Sequence, residues 1–213
     1  MAHQRRPLRD EPSTVDIVSS DVVYHGRVWD IRKDAFRYNG DTIVREYTDH
    51  TGAVAILALD EHDRVLLINQ YRHPVGARLW EIPAGLLDEH GEPPLDAAKR
   101  ELAEEADVEA DDWATLAEFY TSPGGSDEAI RVYLARGLHR IPERFDRTGE
   151  EADIEVRWVS LDEVVDAVRD RRLQNPSLVT GVLSAYVERE RGWSGLAPAD
   201  AAWPRVRARG HSA

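Results

Sequence analysis

The chain has 213 residues, no cysteine and a formal net charge of −13 at pH 7. That length suits one domain of ordinary size with an accessory element, the missing cysteine excludes disulfides, thiolate metal sites and a thiol nucleophile, and the acidic balance argues against a nucleic-acid binder, whose phosphate partner demands basic surface. Met1 to Pro12 lacks the apolar stretch of a secretory leader and the longest apolar runs, such as Ala53 to Leu59, are too short to span a bilayer, so a cytoplasmic protein with no membrane partner is expected.

In chain order, residues 1–14 are expected as a disordered lead. Residues 15–50 read as a small antiparallel sheet: Val15 to Tyr24 and Arg27 to Tyr38 are rich in β-branched and aromatic residues, and Asn39-Gly40 is a hairpin signal before Thr42 to Thr48. Residues 51–190 read as a catalytic domain, with strands at Ala53–Leu59, Val65–Tyr71, Leu79–Ile82, Thr115–Tyr120, Ala129–Arg136 and Ile154–Ser160. Helices are expected at Pro93–Ala106, Leu161–Arg171 and Pro176–Arg191, the last with Asn175 as its N-cap. Residues 191–213, rich in Gly, Ala, Pro and Arg, are expected as a loose tail. Strands mixed with flanking helices suggest an α/β (α+β) fold, an α/β/α sandwich with a mixed sheet, preceded by the N-terminal antiparallel sheet.

The most informative stretch is Gly85 to Val108. Glu101, Glu104 and Glu105 stand at i, i+3 and i+4, which puts three carboxylates on one helix face. Like charges so placed repel by roughly 0.2–0.5 kcal/mol per pair. A solvated acidic face is the plain reading of such a cluster. A site for a hard divalent cation is the other, because Mg²⁺ takes oxygen ligands from carboxylates and substrate phosphates. Context favours the site. Pro93 and Pro94 open the helix where a missing N–H does no harm; Leu95, Ala98, Leu102 and Ala106 make a stripe that can face a core; and strand, glycine loop and helix follow in order. Arg100 lies beside the acids and can hold a loop carbonyl or a carboxylate in place.

With Gly85 and Glu92 upstream, Arg100-Glu101-Leu102-x-Glu104-Glu105 resembles the signature box of the Nudix hydrolases. That box runs Gly, five residues, Glu, seven residues, Arg-Glu, an aliphatic, any residue, Glu-Glu, any residue, Gly and an aliphatic. Here six residues separate Gly85 from Glu92, and Asp107 stands at the late glycine. Neither departure removes a carboxylate, and Asp is a tolerated substitute at a helix C-cap. Within the family the chain is most similar to ADP-ribose pyrophosphatases of actinobacterial type, through Gln70-Tyr71-Arg72-His73, Leu79 to Leu86, Ser122 to Glu128 with Pro123 at the expected marker position, and the acids Glu150-Glu151-Ala152-Asp153.

The resemblance implies the α/β/α sandwich, a homodimer built through the N-terminal sheet, and Mg²⁺, with Mn²⁺ as the alternative, held by Glu101, Glu104, Glu105 and the backbone carbonyl of Ala84. It points to Glu151, or its neighbour Glu150, as the base, with Arg100 in the catalytic set. Glu92 is a weaker ligand candidate; a carboxylate there also suits the helix N-terminus. For the substrate, ADP-ribose, it implies adenine stacking on Trp29 and ribose contacts from Ser126, Asp127 and Glu128. Arg45 and Arg72 can pair with phosphate oxygens. Each has a structural alternative: core or interface packing for Trp29, salt bridges for the arginines. His73 and His90 read as exposed polar residues. Two other functions stay open: a pyrophosphatase for another nucleoside diphosphate sugar such as GDP-mannose, since the box reads only pyrophosphate and metal, and a non-catalytic ADP-ribose sensor, which the intact acids disfavour.

Overall fold

The computed structural model describes residues 8–142, 145, 147 and 153–203. Two compact units divide the chain between Asp49 and His50.

The first unit is an antiparallel meander of β1 (Asp16–Tyr24), β2 (Asp30–Tyr38) and β3 (Asp41–Asp49). Asn39 (φ 52°) and Gly40 (φ 92°) both sit at positive φ, as a two-residue turn that matches strand twist requires, and Tyr38 pairs with Asp41 across it. Strand β2 starts at Asp30, later than the sequence suggests. The Gly26 N–H donates to Asp30 Oδ1 at 3.2 Å, and a Cβ on Gly26 would fall 2.1 Å from the Trp29 carbonyl oxygen, so the chain folds tightly there. Trp29 therefore lies in the connection and not on a strand, and its side chain is exposed. Asp34 is buried and accepts from Ser20 Oγ at 2.6 Å and Tyr47 OH at 3.3 Å.

The second unit holds the core. A mixed sheet runs β11-β8-β9-β4-β7, from Ala197–Pro198, Val108–Tyr120, Ala129–Arg140, Ala53–Ala58 and Ala84–Leu86. Strand β4 pairs parallel with β9; the other neighbours are antiparallel. An antiparallel sheet, β10-β5-β6, comes from Glu155–Ser160, Arg64–Arg72 and Ala77–Glu81. A single-turn 3₁₀ helix, His73–Val75, joins β5 to β6.

Strand β4 shows how the layers form. Every residue is buried, and successive side chains go to opposite faces. Ala53, Ala55 and Leu57 join the cluster with Leu178, Val182 and Ala185 of α3 (Pro176–Glu190) and Leu161, Val164 and Val165 of α2 (Leu161–Arg169). Val54, Ile56 and Ala58 join the cluster with Ala97, Ala98, Leu102 and Ala106 of α1 (Pro94–Ala106). Each fully buried Leu or Ile contributes about 1.5–3 kcal/mol relative to exposure. The expected α/β/α sandwich is thus the observed one. Asn175 caps α3 as expected, its Oδ1 accepting from the Leu178 N–H at 2.9 Å.

Residues 192–202 differ from the expected loose tail. Leu196 and Trp193 pack on the core, β11 pairs with β8, and buried Arg131 donates to the Ala201 carbonyl at 2.8 Å while forking onto Glu118. No helix of the described residues is long and apolar enough to cross a membrane.

Candidate active site

The acidic helix begins where sequence chemistry puts it. Pro93, extended at φ −63° and ψ 143°, precedes Pro94 in the first turn, where proline forfeits no hydrogen bond. The apolar stripe turns inward on β4, and the carboxylates flank it on the side of α1 beside β7. They are graded in depth: side chains of Glu101 and Glu104 are 14% and 41% exposed, and Glu105 is buried. The backbone N–H of Ala84 donates to Glu105 Oε2 at 2.9 Å. A Cβ on Gly85 would lie 2.0 Å from Glu101 Cδ, so only glycine lets β7 come this close to the carboxylate.

Arg100 organises the outer part. Its Nε and Nη2 fork onto both oxygens of Glu92, at 3.1 and 3.0 Å, and Nη1 reaches Glu101 Oε1 at 2.7 Å and Glu104 Oε2 at 3.3 Å. The hydrogen bonds to Glu92 are the largest reason its guanidinium is held well above the ordinary arginine range, and the same bonds hold the Glu92 carboxyl below its ordinary value. Glu92 is thus an arginine partner that fixes the long loop to the helix. Among the described residues no three acidic or imidazole side chains gather closely enough to enclose an ion as they stand; Glu101 and Glu104 lean to Arg100. The carboxylates of Glu101, Glu104 and Glu105 are all hard oxygen donors. Oxygen donors of this kind fit a hard divalent cation and not a thiophilic metal.

A pH dependence follows. A carboxyl whose pKa is lowered on folding stabilises the fold above its unfolded value, 4.5 here, and that contribution is lost as pH falls through the lower folded value. Melting temperature of the wild type is expected to fall more steeply below about pH 4.5 than that of Arg100→Met, which lacks the partner. Parallel pH profiles in thermal melts would sink this assignment.

The remaining expected residues fall in several places. Glu150 and Glu151 lie outside the described residues. Arg72 forks onto buried Glu81, Nε to Oε1 at 3.0 Å and Nη2 to Oε2 at 2.7 Å. Arg45 is exposed on β3, with Nη1 donating to the Val44 carbonyl. His73 and His90 are exposed.

The 122–128 loop is tied down through a residue that sequence reasoning missed. His50 is buried; its backbone N–H donates to Asp127 Oδ1 at 2.8 Å, its Nδ1 accepts from the Gly52 N–H at 2.9 Å, and its Nε2 lies 3.4 Å from Glu128 Oε1. An Nδ1 that accepts leaves the proton on Nε2, facing Glu128. Thr121 Oγ1 donates to Glu128 Oε2 at 2.6 Å, and Ser126 Oγ accepts the Glu128 N–H at 3.1 Å. These three loop residues therefore hold the loop's own shape. A histidine between a strand and a glycine carries no local signal of such a bond.

Comparison with known proteins places this geometry in a lineage. The NUDIX domain family model matches residues 49–178. The chain is 40% identical over 189 residues to an ADP-ribose pyrophosphatase of Mycobacterium tuberculosis, covering 88% of this chain and 90% of that protein. It is 35% identical over 157 residues to an ADP-ribose pyrophosphatase of Bacillus subtilis, covering 73% and 84%. A crystal structure described as an ADP compounds hydrolase superposes with a TM-score of 0.71 at 20% identity, over 87% of this chain and 99% of that one, which speaks for the fold alone. A family match across most of the second unit, with relatives this similar over most of both lengths, makes the chain a member of the Nudix hydrolase family.

Proposed function

We propose that the protein is a divalent-metal-dependent ADP-ribose pyrophosphatase that hydrolyses ADP-ribose to AMP and ribose 5-phosphate. The observation that carries the chemistry is the carboxylate face of α1 set against Gly85, with Glu105 buried on the Ala84 N–H. The substrate reading is supported by the relative that is 40% identical. Divalent-metal dependence is general among Nudix ADP-ribose pyrophosphatases.

The reaction joins a water oxygen to one phosphorus and breaks that same phosphorus's bond to the bridging oxygen, so the other phosphate leaves with the bridging oxygen and the electron pair while the water gives up a proton. Bound Mg²⁺ or Mn²⁺ would neutralise phosphate charge and lower the pKa of the attacking water. Glu101, Glu104, Glu105 and the Ala84 carbonyl are proposed to hold the metal, with Arg100 spacing Glu101 and Glu104 and anchoring Glu92. Glu151, or Glu150, is proposed as the proton acceptor. Exposed Trp29 offers an indole face for adenine, and Arg45 and Arg72 guanidinium groups for phosphate. Ser126, Asp127 and Glu128 are proposed to shape the wall against the terminal ribose. The three-stranded unit exposes Ile17, Val18, Val23, Tyr24 and Val44, and a sheet so small is marginal alone, which supports a homodimer through it.

Product analysis tests the reading: the protein, ADP-ribose and Mg²⁺ should yield AMP and ribose 5-phosphate in equal amounts, and nothing after chelation. Turnover of GDP-mannose in place of ADP-ribose would overturn the substrate, and ADP-ribose binding without turnover would overturn the enzyme.

A further inference from the structure

Asp107 ends α1 where the signature box has glycine. Its φ of 54° and ψ of 40° are left-handed, a region glycine enters freely and a residue with a Cβ does not. Its N–H bonds the Ala103 carbonyl at 3.0 Å and its carbonyl accepts the Ile141 N–H at 2.9 Å; glycine would make both bonds equally well. The side chain adds what glycine cannot. Oδ1 accepts the Phe145 N–H at 3.0 Å, and Oδ2 lies 2.8 Å from Arg147 Nη2, with both side chains less than a fifth exposed. That last contact is ionic and not an aligned hydrogen bond. Arg147 Nε in turn donates to the Glu104 carbonyl at 2.8 Å. An unfavourable backbone conformation retained alongside a fully used side chain points to a task at that position.

We propose that Asp107 is a positioning residue that fastens the segment after β9, through Phe145 and Arg147, to the last turn of the helix bearing Glu104 and Glu105. The last turn of α1 is then held from outside the helix, and the chain leading to Glu150 and Glu151 in sequence has a fixed point of departure. The inference rests on the functional reading above, in which those groups serve the reaction.

The rival is that Asp107 is merely tolerated at the cap. Asp107→Gly separates the two, because it relieves the backbone and keeps both backbone bonds. In the full-length protein the variant is expected to keep its melting temperature. Its Phe145 amide should exchange at least about tenfold faster by NMR. Its kcat for ADP-ribose should fall on the order of tenfold, with KM changed by less than about twofold. Arg147→Met should lower kcat in the same direction, and the double variant should lose less than the two singles combined, since the Asp107–Arg147 contact is common to both. Unchanged Phe145 exchange, or unchanged kcat, in Asp107→Gly overturns the proposal. A wild type inert toward ADP-ribose would instead refute the substrate reading, and Phe145 exchange would then decide the tether by itself.

Discussion

Replacing Glu105 with Gln is expected to lower kcat by about 10²–10³-fold, a range typical for loss of a group that stabilises developing charge, while the fold melts at nearly the wild-type temperature. The two halves of this expectation have different sources. Gln keeps an oxygen for the Ala84 N–H, so the buried bond at 2.9 Å survives. It also removes one of three like charges on a helix face, relieving roughly 0.2–0.5 kcal/mol per pair. Stability is therefore unchanged or slightly higher. Under the proposed function catalysis needs the charge itself, because a neutral amide is a poor partner for a hard dication. Steady-state kinetics across a Mg²⁺ titration, beside a thermal melt, checks both. Full activity in a well-folded variant would remove Glu105 from the site.

Gly85→Ala is expected to damage fold and activity together. The new methyl would stand 2.0 Å from Glu101 Cδ and 2.1 Å from its Oε1, far inside van der Waals contact. Either Glu101 swings out of its place, breaking its 2.7 Å bond with Arg100, or β7 moves off β4, where Gly85 pairs with Val54. Overpacking of this kind costs about 1–3 kcal/mol, a loss of several degrees in a protein of this size. Displacement of a ligand by about an ångström costs on the order of 10²-fold in rate. The variant is thus expected to turn over about 10²-fold more slowly, even well below its melting temperature. Wild-type kcat in Gly85→Ala would mean that the close approach does not place Glu101.

Local chemistry made much of this legible in the sequence. Asn39-Gly40 names its turn, Pro93-Pro94 its helix start, and the spacing of Glu101, Glu104 and Glu105 their shared face. What sequence could not show depends on partners distant in the chain. Strand β7 is three residues with a central glycine, and β4 alone makes it a strand. Strand β8 begins at Val108, ahead of the expected Thr115, because pairing with β9 overrides the poor strand propensity of Asp111 and Asp112. The pairing of Arg72 with Glu81 across two strands is not written in the letters around Arg72, nor is the meeting of the His50 ring with Gly52 and Glu128 in those around His50. The side chain of Asp107 is the sharpest case: the departure from the signature is visible in the letters, but its contacts are not.

The parallel pairing of β4 with β9 has a consequence for how the molecule comes into being. Strands β8 and β9 are consecutive and form a long antiparallel pair, so their meeting closes only a short loop. Strand β4 must find Ile130 through Ala135 across everything between, including β5, β6, β7 and the whole of α1. Chain entropy makes such a closure late and slow. Glu101 and Gly85 both lie inside that interval, so the closure of β4 on β9 encircles the segment that carries the acids. The sheet behind the carboxylate helix is then completed late, and a slow refolding phase is expected to report the joining of β4 to β9.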